Sequence, residues 1–192
     1  MNYLAHLILS GTNKDVMFGN FIGDGIKGNK YLLFQEEIKK GILLHRHIDN
    51  FTDNHYLCLK SKKRFYECAP KLAGVVCDIL YDFLLWENWN KYYKQNTKEF
   101  IADTYLELDN RIEFMPLKIA MLYSHMRTHD WLNSYTKFSG IESAVFGISR
   151  RVGLTVNMDL FREIYYDNEA VYNAEFNTFY KELKLSSEKF LL

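Results

Sequence analysis

Apolar and polar positions alternate along this chain with helical steps almost from end to end. Residues 2–10 are apolar around nearly their whole circumference, broken only by His6, which predicts a buried first helix. A turn at 11–15 leads into 16–28, where Gly19, Gly23, Gly25 and Gly28 flank Asp24. Residues 29–40 read as a short helix or loop. In 41–53, Ile42, Leu44 and Ile48 form an apolar face, while His45, Asp49 and Asp53 follow one another at four-residue steps on another. After a turn at 54–55, residues 56–68 mix Tyr56, Leu57, Leu59 and Phe65 with Lys60, Lys62, Lys63 and Arg64. Pro70 opens a new segment, and 72–86 is nearly continuously apolar apart from Asp78 and Asp82. An amphipathic helix capped by Thr97 is expected over 97–113. A helical pattern runs through 116–138, and another helix lies between Gly140 and Gly147. A long aromatic helix is expected over 157–184, followed by a tail that docks or frays. No repeat, linker or low-complexity tract interrupts the pattern. The expectation is one all-α domain, a helical bundle over residues 1–192.

Composition changes this picture little. Two prolines in 192 residues suit a helical chain. A 48% hydrophobic content with 16% aromatics is enough for a sizeable core. The 24 basic and 24 acidic residues cancel, so nothing global draws the chain to nucleic acid or an anionic membrane. Three cysteines without a Cys-x-x-Cys pair indicate a reduced compartment. There is no basic lead with an apolar run like that of a signal peptide, and no apolar run of the ~20 residues a membrane span needs. A cytoplasmic protein is expected.

The candidate chemistry is concentrated in the first half. Imidazole and carboxylate on one helical face, His45 with Asp49, are a start for a divalent-metal site. Asp78 and Asp82 share a face in an apolar helix, where two carboxylates are costly unless a cation sits between them. A metal or the Arg46 guanidinium would supply it. Asp24, among Phe21, Ile22 and Ile26, is expected to be partly buried, although a turn or cap aspartate fits the same position. The glycine spacing there matches neither a dinucleotide-binding nor a P-loop pattern, but Lys27 beside it can meet a phosphate. His6 is a core histidine unless a partner lies elsewhere. His125 and His129, four apart without an intervening glutamate, read as structural or surface residues. The basic run from Lys60 to Arg64 is a solvated face or a docking patch for an acidic partner.

Taken in order, Asn2-Tyr-Leu-Ala-His6-Leu, Gly19-Asn-Phe-Ile-Gly-Asp24, Lys27-Gly28, Gly41-Ile-x-Leu-His45-Arg46-x-Ile-Asp49-x-Phe-Thr-Asp53, Ala73-Gly74 and Asp78-Ile-x-Tyr-Asp82 resemble the bacterial acyl carrier protein phosphodiesterase family. In the second half, Trp131-Leu132 with Tyr135 and Arg150-Arg151 carry the likeness. That family is similar to the all-helical HD-type metal phosphohydrolases but lacks their contiguous His-Asp pair, as here, where Arg46 follows His45. The resemblance implies a manganese-dependent hydrolase, with magnesium as the alternative ion, that removes 4′-phosphopantetheine from holo-acyl carrier protein. Under it, His6, His45, Asp49 and Asp78 are the candidate metal ligands. Asp24 is a further ligand or the base that orients water, and Asp82 steadies a ligand histidine from behind. Lys27 and Arg46 would hold the phosphate, and Lys60, Lys62 and Arg64 would meet the acidic carrier. Phe83 stands where family members commonly carry a histidine. Two alternatives remain open from the residues: a metal phosphohydrolase acting on a small phosphate ester or nucleotide, and a non-enzymatic helical binding protein.

Overall fold

The computed structural model describes all 192 residues as eleven α-helices with three short 3-10 turns and no strand. Helices α1 (Tyr3–Leu9), α2 (Lys14–Ile22) and α3 (Glu36–Asn54) form the first layer. Then come α4 (Tyr56–Arg64), α5 (Ala73–Glu87), α6 (Trp89–Tyr92), α7 (Thr97–Asp109), α8 (Leu117–Thr128), α9 (Trp131–Ser134) and α10 (Phe138–Arg151). The last, α11 (Met158–Leu191), runs the length of the molecule and packs on α1, α3, α4 and α5.

Helix starts follow side-chain chemistry. Asn13, Asn96 and Asn157 each accept backbone N–H groups in the first turns of α2, α7 and α11. The cap of α7 is therefore Asn96, and Thr97 is its first helical residue. The expected helix over 116–138 is broken at Asp130, which adopts a left-handed conformation at φ 47° and separates α8 from α9. The tail docks rather than frays, and does so as helix. It continues α11 to Leu191, with Phe190 stacked on His47 at a centroid distance of 4.9 Å.

The core follows the aromatic stripe of α11. Phe161, Tyr165, Tyr172, Phe176, Phe179 and Leu183 recur at three-, four- and seven-residue steps, and all are buried. Tyr172 stacks on Phe65, while Phe176 and Phe179 meet Tyr81 of α5. Burying each such side chain stabilises the fold by about 1.5–3 kcal/mol. The closest helix pair is α2 with α3. A Cβ on Gly19 would stand 2.0 Å from the Ile38 carbonyl oxygen, and one on Gly41 would stand 2.1 Å from that of Val16. These two helices touch backbone to backbone, which only glycine allows.

Candidate active site

That contact sets the site. Asn20 follows Gly19 on α2, and His45 lies one turn beyond Gly41 on α3. Gly23, at the end of α2, leaves room for the His45 ring, since a Cβ there would lie 2.6 Å from the ring and its own Cβ. His6 reaches the same place from α1. Its Nε2 is 3.1 Å from Asp49 Oδ1, and His45 Nε2 is 3.2 Å from Asp49 Oδ2. The two imidazoles lie 4.3 Å apart between centroids. One ligand atom from each of His6, His45 and Asp49 falls within 4.8 Å of the other two.

The hydrogen bonds around His6 fix its tautomer. Asn20 Nδ2 donates to the His6 carbonyl at 2.7 Å and to Ser10 Oγ at 2.9 Å. Its Oδ1 therefore faces His6 Nδ1, at 2.9 Å, and can only accept. Nδ1 carries the hydrogen, so Nε2 turns a lone pair toward Asp49. Burial lowers the His6 pKa below the ordinary histidine value, which keeps the ring neutral. Burial raises the Asp49 carboxyl, but the His45 ring beside it pulls the other way and holds the acid below its usual range. Two acceptors thus face each other at hydrogen-bond distance. His45 Nδ1 is also buried without a partner. Two imidazoles and a carboxylate, with Asn20 orienting one ring from behind, are a donor set that fits a divalent cation.

The other predicted residues take different places. Asp78 Oδ1 pairs with the Met1 ammonium at 2.9 Å and stands outside the three-residue cluster, although it lines the same cavity. Asp82 touches no histidine. It is fully buried and accepts the Leu4, Asn2 and Ala5 N–H groups at 2.7, 3.2 and 3.4 Å, so it caps α1 from α5 and positions His6 through that helix. Burial raises its carboxyl to about 7 against the opposing pull of the Met1 ammonium and these N–H groups. Asp24 is exposed rather than partly buried, because the 3-10 turn Gly23–Gly25 turns it outward at the cavity rim, 3.2 Å from Lys27. Arg46 donates to the Ile26 and Gly28 carbonyls at 2.9 and 2.7 Å and lies over Tyr31, so its guanidinium braces the loop that carries Lys27. Lys60 and Arg64 both pair with buried Glu175, at 3.0 and 2.7 Å, while Lys62 and Lys63, on other sides of α4, have no ion pairs. Asp53 is exposed at the end of α3, and His55 caps α4.

The cavity over the cluster measures about 470 Å³. His6, His45, Asp49, Asp24 and Asp78 form one side of it, and Trp131, Tyr135, Ile148 and Arg151 the other. Neither Asn20 nor this far wall has a role that the residues alone assign. The signal for the wall was present in the second-half pieces Trp131-Leu132, Tyr135 and Arg150-Arg151.

The family model described as acyl carrier protein phosphodiesterase matches residues 1–183. The chain belongs to the acyl carrier protein phosphodiesterase family. Relatives bearing that name include a protein of Photorhabdus laumondii, 28% identical over 152 residues, covering 79% of this chain and 77% of the relative. One from Salmonella dublin is 25% identical over 175 residues, covering 91% and 89%. No solved structure matches the chain. Phe83 stands where the resemblance implies a histidine. Here it is buried edge-on against Phe138 and Tyr165 and does not line the cavity, so the change falls in the core.

Proposed function

We propose that this chain is a phosphodiester hydrolase that removes 4′-phosphopantetheine from holo-acyl carrier protein with the help of a divalent cation, manganese or magnesium. In the reaction a water oxygen bonds to phosphorus, the bond between phosphorus and the carrier's serine oxygen breaks, and that oxygen leaves with a proton as the serine hydroxyl. The observation that supports this reading is the convergence of His6, His45 and Asp49 on one cavity of substrate size, with lone pairs of His6 and Asp49 turned toward each other.

His6 Nε2, His45 Nε2 and the Asp49 carboxylate would hold the cation. Once bound, it supplies charge to the phosphoryl oxygens and lowers the pKa of a water. Asp24, at the rim, is assigned to orient that water and accept its proton. Asp78 is a further carboxylate within reach of the same cavity. Lys27 stands at the rim where the phosphate arrives, held there by the loop that Arg46 braces. Asp82 acts on the site through α1. Carrier docking is assigned to the basic residues of α4, of which Lys62 and Lys63 are free and Lys60 and Arg64 are held by Glu175. No helix is long and apolar enough to cross a membrane, and a cytoplasmic setting fits a carrier-protein substrate.

The test is the intact mass of holo-carrier incubated with the protein and manganese, beside a chelator control. The expected result is loss of the phosphopantetheine mass with manganese only. An unchanged carrier mass, together with hydrolysis of small phosphate esters, would move the assignment to a small-ester phosphohydrolase. No metal uptake and no hydrolysis would make the protein a non-enzymatic one.

A further inference from the structure

Behind the far wall of the site cavity lies a second hollow of about 420 Å³, between α8–α9 and α10. Trp131, Tyr135, Ile148 and Arg151 line both, so the two spaces adjoin across these four side chains. The volume is within the ~300–1,000 Å³ of small-molecule sites.

Its lining is of one kind. Helix α10 presents Gly140, Ser143, Ala144 and Gly147, small residues at three- and four-residue steps that leave a trough. Gly140 is held there by a close approach, because a Cβ would stand 1.8 Å from the Ser134 carbonyl oxygen. Gly147 has no such neighbour: a Cβ there would meet nothing within 4 Å. Opposite the trough stand Trp131 and the imidazoles of His125 and His129. No acidic side chain lines the hollow, and its one permanent charge is Arg151, at the end shared with the metal-ligand cluster.

Arg151 differs from every other arginine of the chain. Arg64, Arg111, Arg127 and Arg162 are in ion pairs, Arg46 is bound to backbone carbonyls, and Arg150 turns away over the Phe146 ring. Arg151 has no carboxylate or carbonyl partner and faces the cavity that holds His6, His45 and Asp49. An unpaired guanidinium beside a cation site is suited to an anion that spans both, and a phosphodiester is such an anion.

We infer that Arg151 binds the phosphodiester and that the trough beyond it receives the pantetheine arm. This inference rests on the phosphodiesterase reading above. The arm is neutral along its length, with amide, hydroxyl and thiol groups separated by short aliphatic stretches, and carries its charge at one end only. The hollow has the same distribution: hydroxyls, imidazoles and an indole over small residues, with one cation at one end. The carrier protein itself then stays on the open side of the metal-ligand cluster, and the arm runs inward past Trp131.

The test is calorimetric titration of the manganese-loaded protein with three probes: inorganic phosphate, pantetheine and 4′-phosphopantetheine. Gly147→Leu fills the trough from a position with open space. It is expected to weaken both pantetheine-containing probes more than tenfold, with phosphate affinity, metal content and thermal midpoint as in the wild type. Arg151→Ala is expected to weaken phosphate and 4′-phosphopantetheine more than tenfold and to leave pantetheine binding as it was. Ser143→Phe, on the next turn of the same trough, serves as a second filling variant should Gly147→Leu alter the fold. Wild-type affinity of both filled variants for pantetheine overturns the trough, and wild-type phosphate affinity of Arg151→Ala overturns its role. If the wild type strips holo-carrier but binds no pantetheine, the trough fails and the phosphodiesterase reading stands. If it leaves holo-carrier intact yet binds pantetheine in the manner described, the reading fails and the trough stands.

Discussion

Two of the protein's clusters of charged and polar groups are built on opposite terms. On α4 and α11, Glu175 is almost wholly buried, but each of its oxygens is met. Arg64 donates to both at 2.7 and 2.8 Å, Ser61 adds a bond at 2.7 Å, and Lys60 approaches at 3.0 Å. Burial would raise that carboxyl, yet these partners hold it at about 2. At the other cluster, His6 and Asp49 face each other with lone pairs, and His45 Nδ1 has no partner. A buried polar group left unmet costs stability, so a fold that keeps such a cluster is set up for something from outside to complete it. Composition does not separate the two clusters, since both combine acids with basic side chains. Whether the protein itself satisfies them does.

The largest expected effect of breaking this contrast is at Asp49. Asp49→Ala should abolish metal uptake and carrier hydrolysis while the thermal midpoint of the apo-protein holds or rises, measured by metal analysis, carrier mass and melting. A large fall in apo-protein stability would mean that the cluster is structural after all. At the satisfied cluster the signs reverse. Glu175→Ala leaves Arg64 without its partner and should cost about 3 kcal/mol in denaturant unfolding, with turnover at permissive temperature unchanged. Next is Asn20→Ala, which frees the His6 ring. It should weaken metal binding by about 10–100-fold, read by competitive titration with a chromophoric chelator.

Acid separates the clusters more gently. His6 is lowered from its ordinary 6.5, so below that pH the unfolded chain takes a proton that the folded protein refuses. The His6 contribution to apo-protein stability should therefore decline as the pH drops through 6.5, while Asp82, raised to about 7, works in the opposite direction over the same range. Glu175 is lowered from 4.5 to about 2, so its contribution is intact above 4.5 and is lost as the pH falls toward 2. In denaturant titrations across pH, His6→Gln should remove the first decline only, and Glu175→Gln the second only. The smallest effect belongs to the free lysines beside the satisfied cluster. Reversing Lys62 and Lys63 to Glu should slow carrier association several-fold at low salt and much less at high salt. Equal slowing on a small phosphodiester would exclude a docking role.

Much of the fold was legible because helices declare themselves through local spacing, as in the aromatic stripe of α11 and the His45–Asp49 step of α3. The cluster was partly legible for the same reason, since His45 and Asp49 are neighbours on one helix. Other relations depended on contacts between distant segments. The four-residue step from Asp78 to Asp82 correctly predicted a shared helix, yet one acid caps α1 and the other meets the N-terminal ammonium. Arg46 looked like a free cation until its carbonyl partners were in view. Asp24 sat among apolar residues in the sequence, but a 3-10 turn points it outward. Arg64 read as surface charge because its partner Glu175 lies 111 residues further along.

The glycine contact between α2 and α3 has a consequence for how this protein can change over time. Where helices meet through side chains, each substitution at the interface shifts their separation slightly, and such shifts accumulate. Here the separation is set by main-chain atoms on both sides, which every sequence shares. The spacing of Asn20 from His45 is thereby insulated from drift in the rest of the core. Relatives that retain only 25% to 28% of these residues can repack their interiors freely. So long as both glycines persist, they inherit the same ruler.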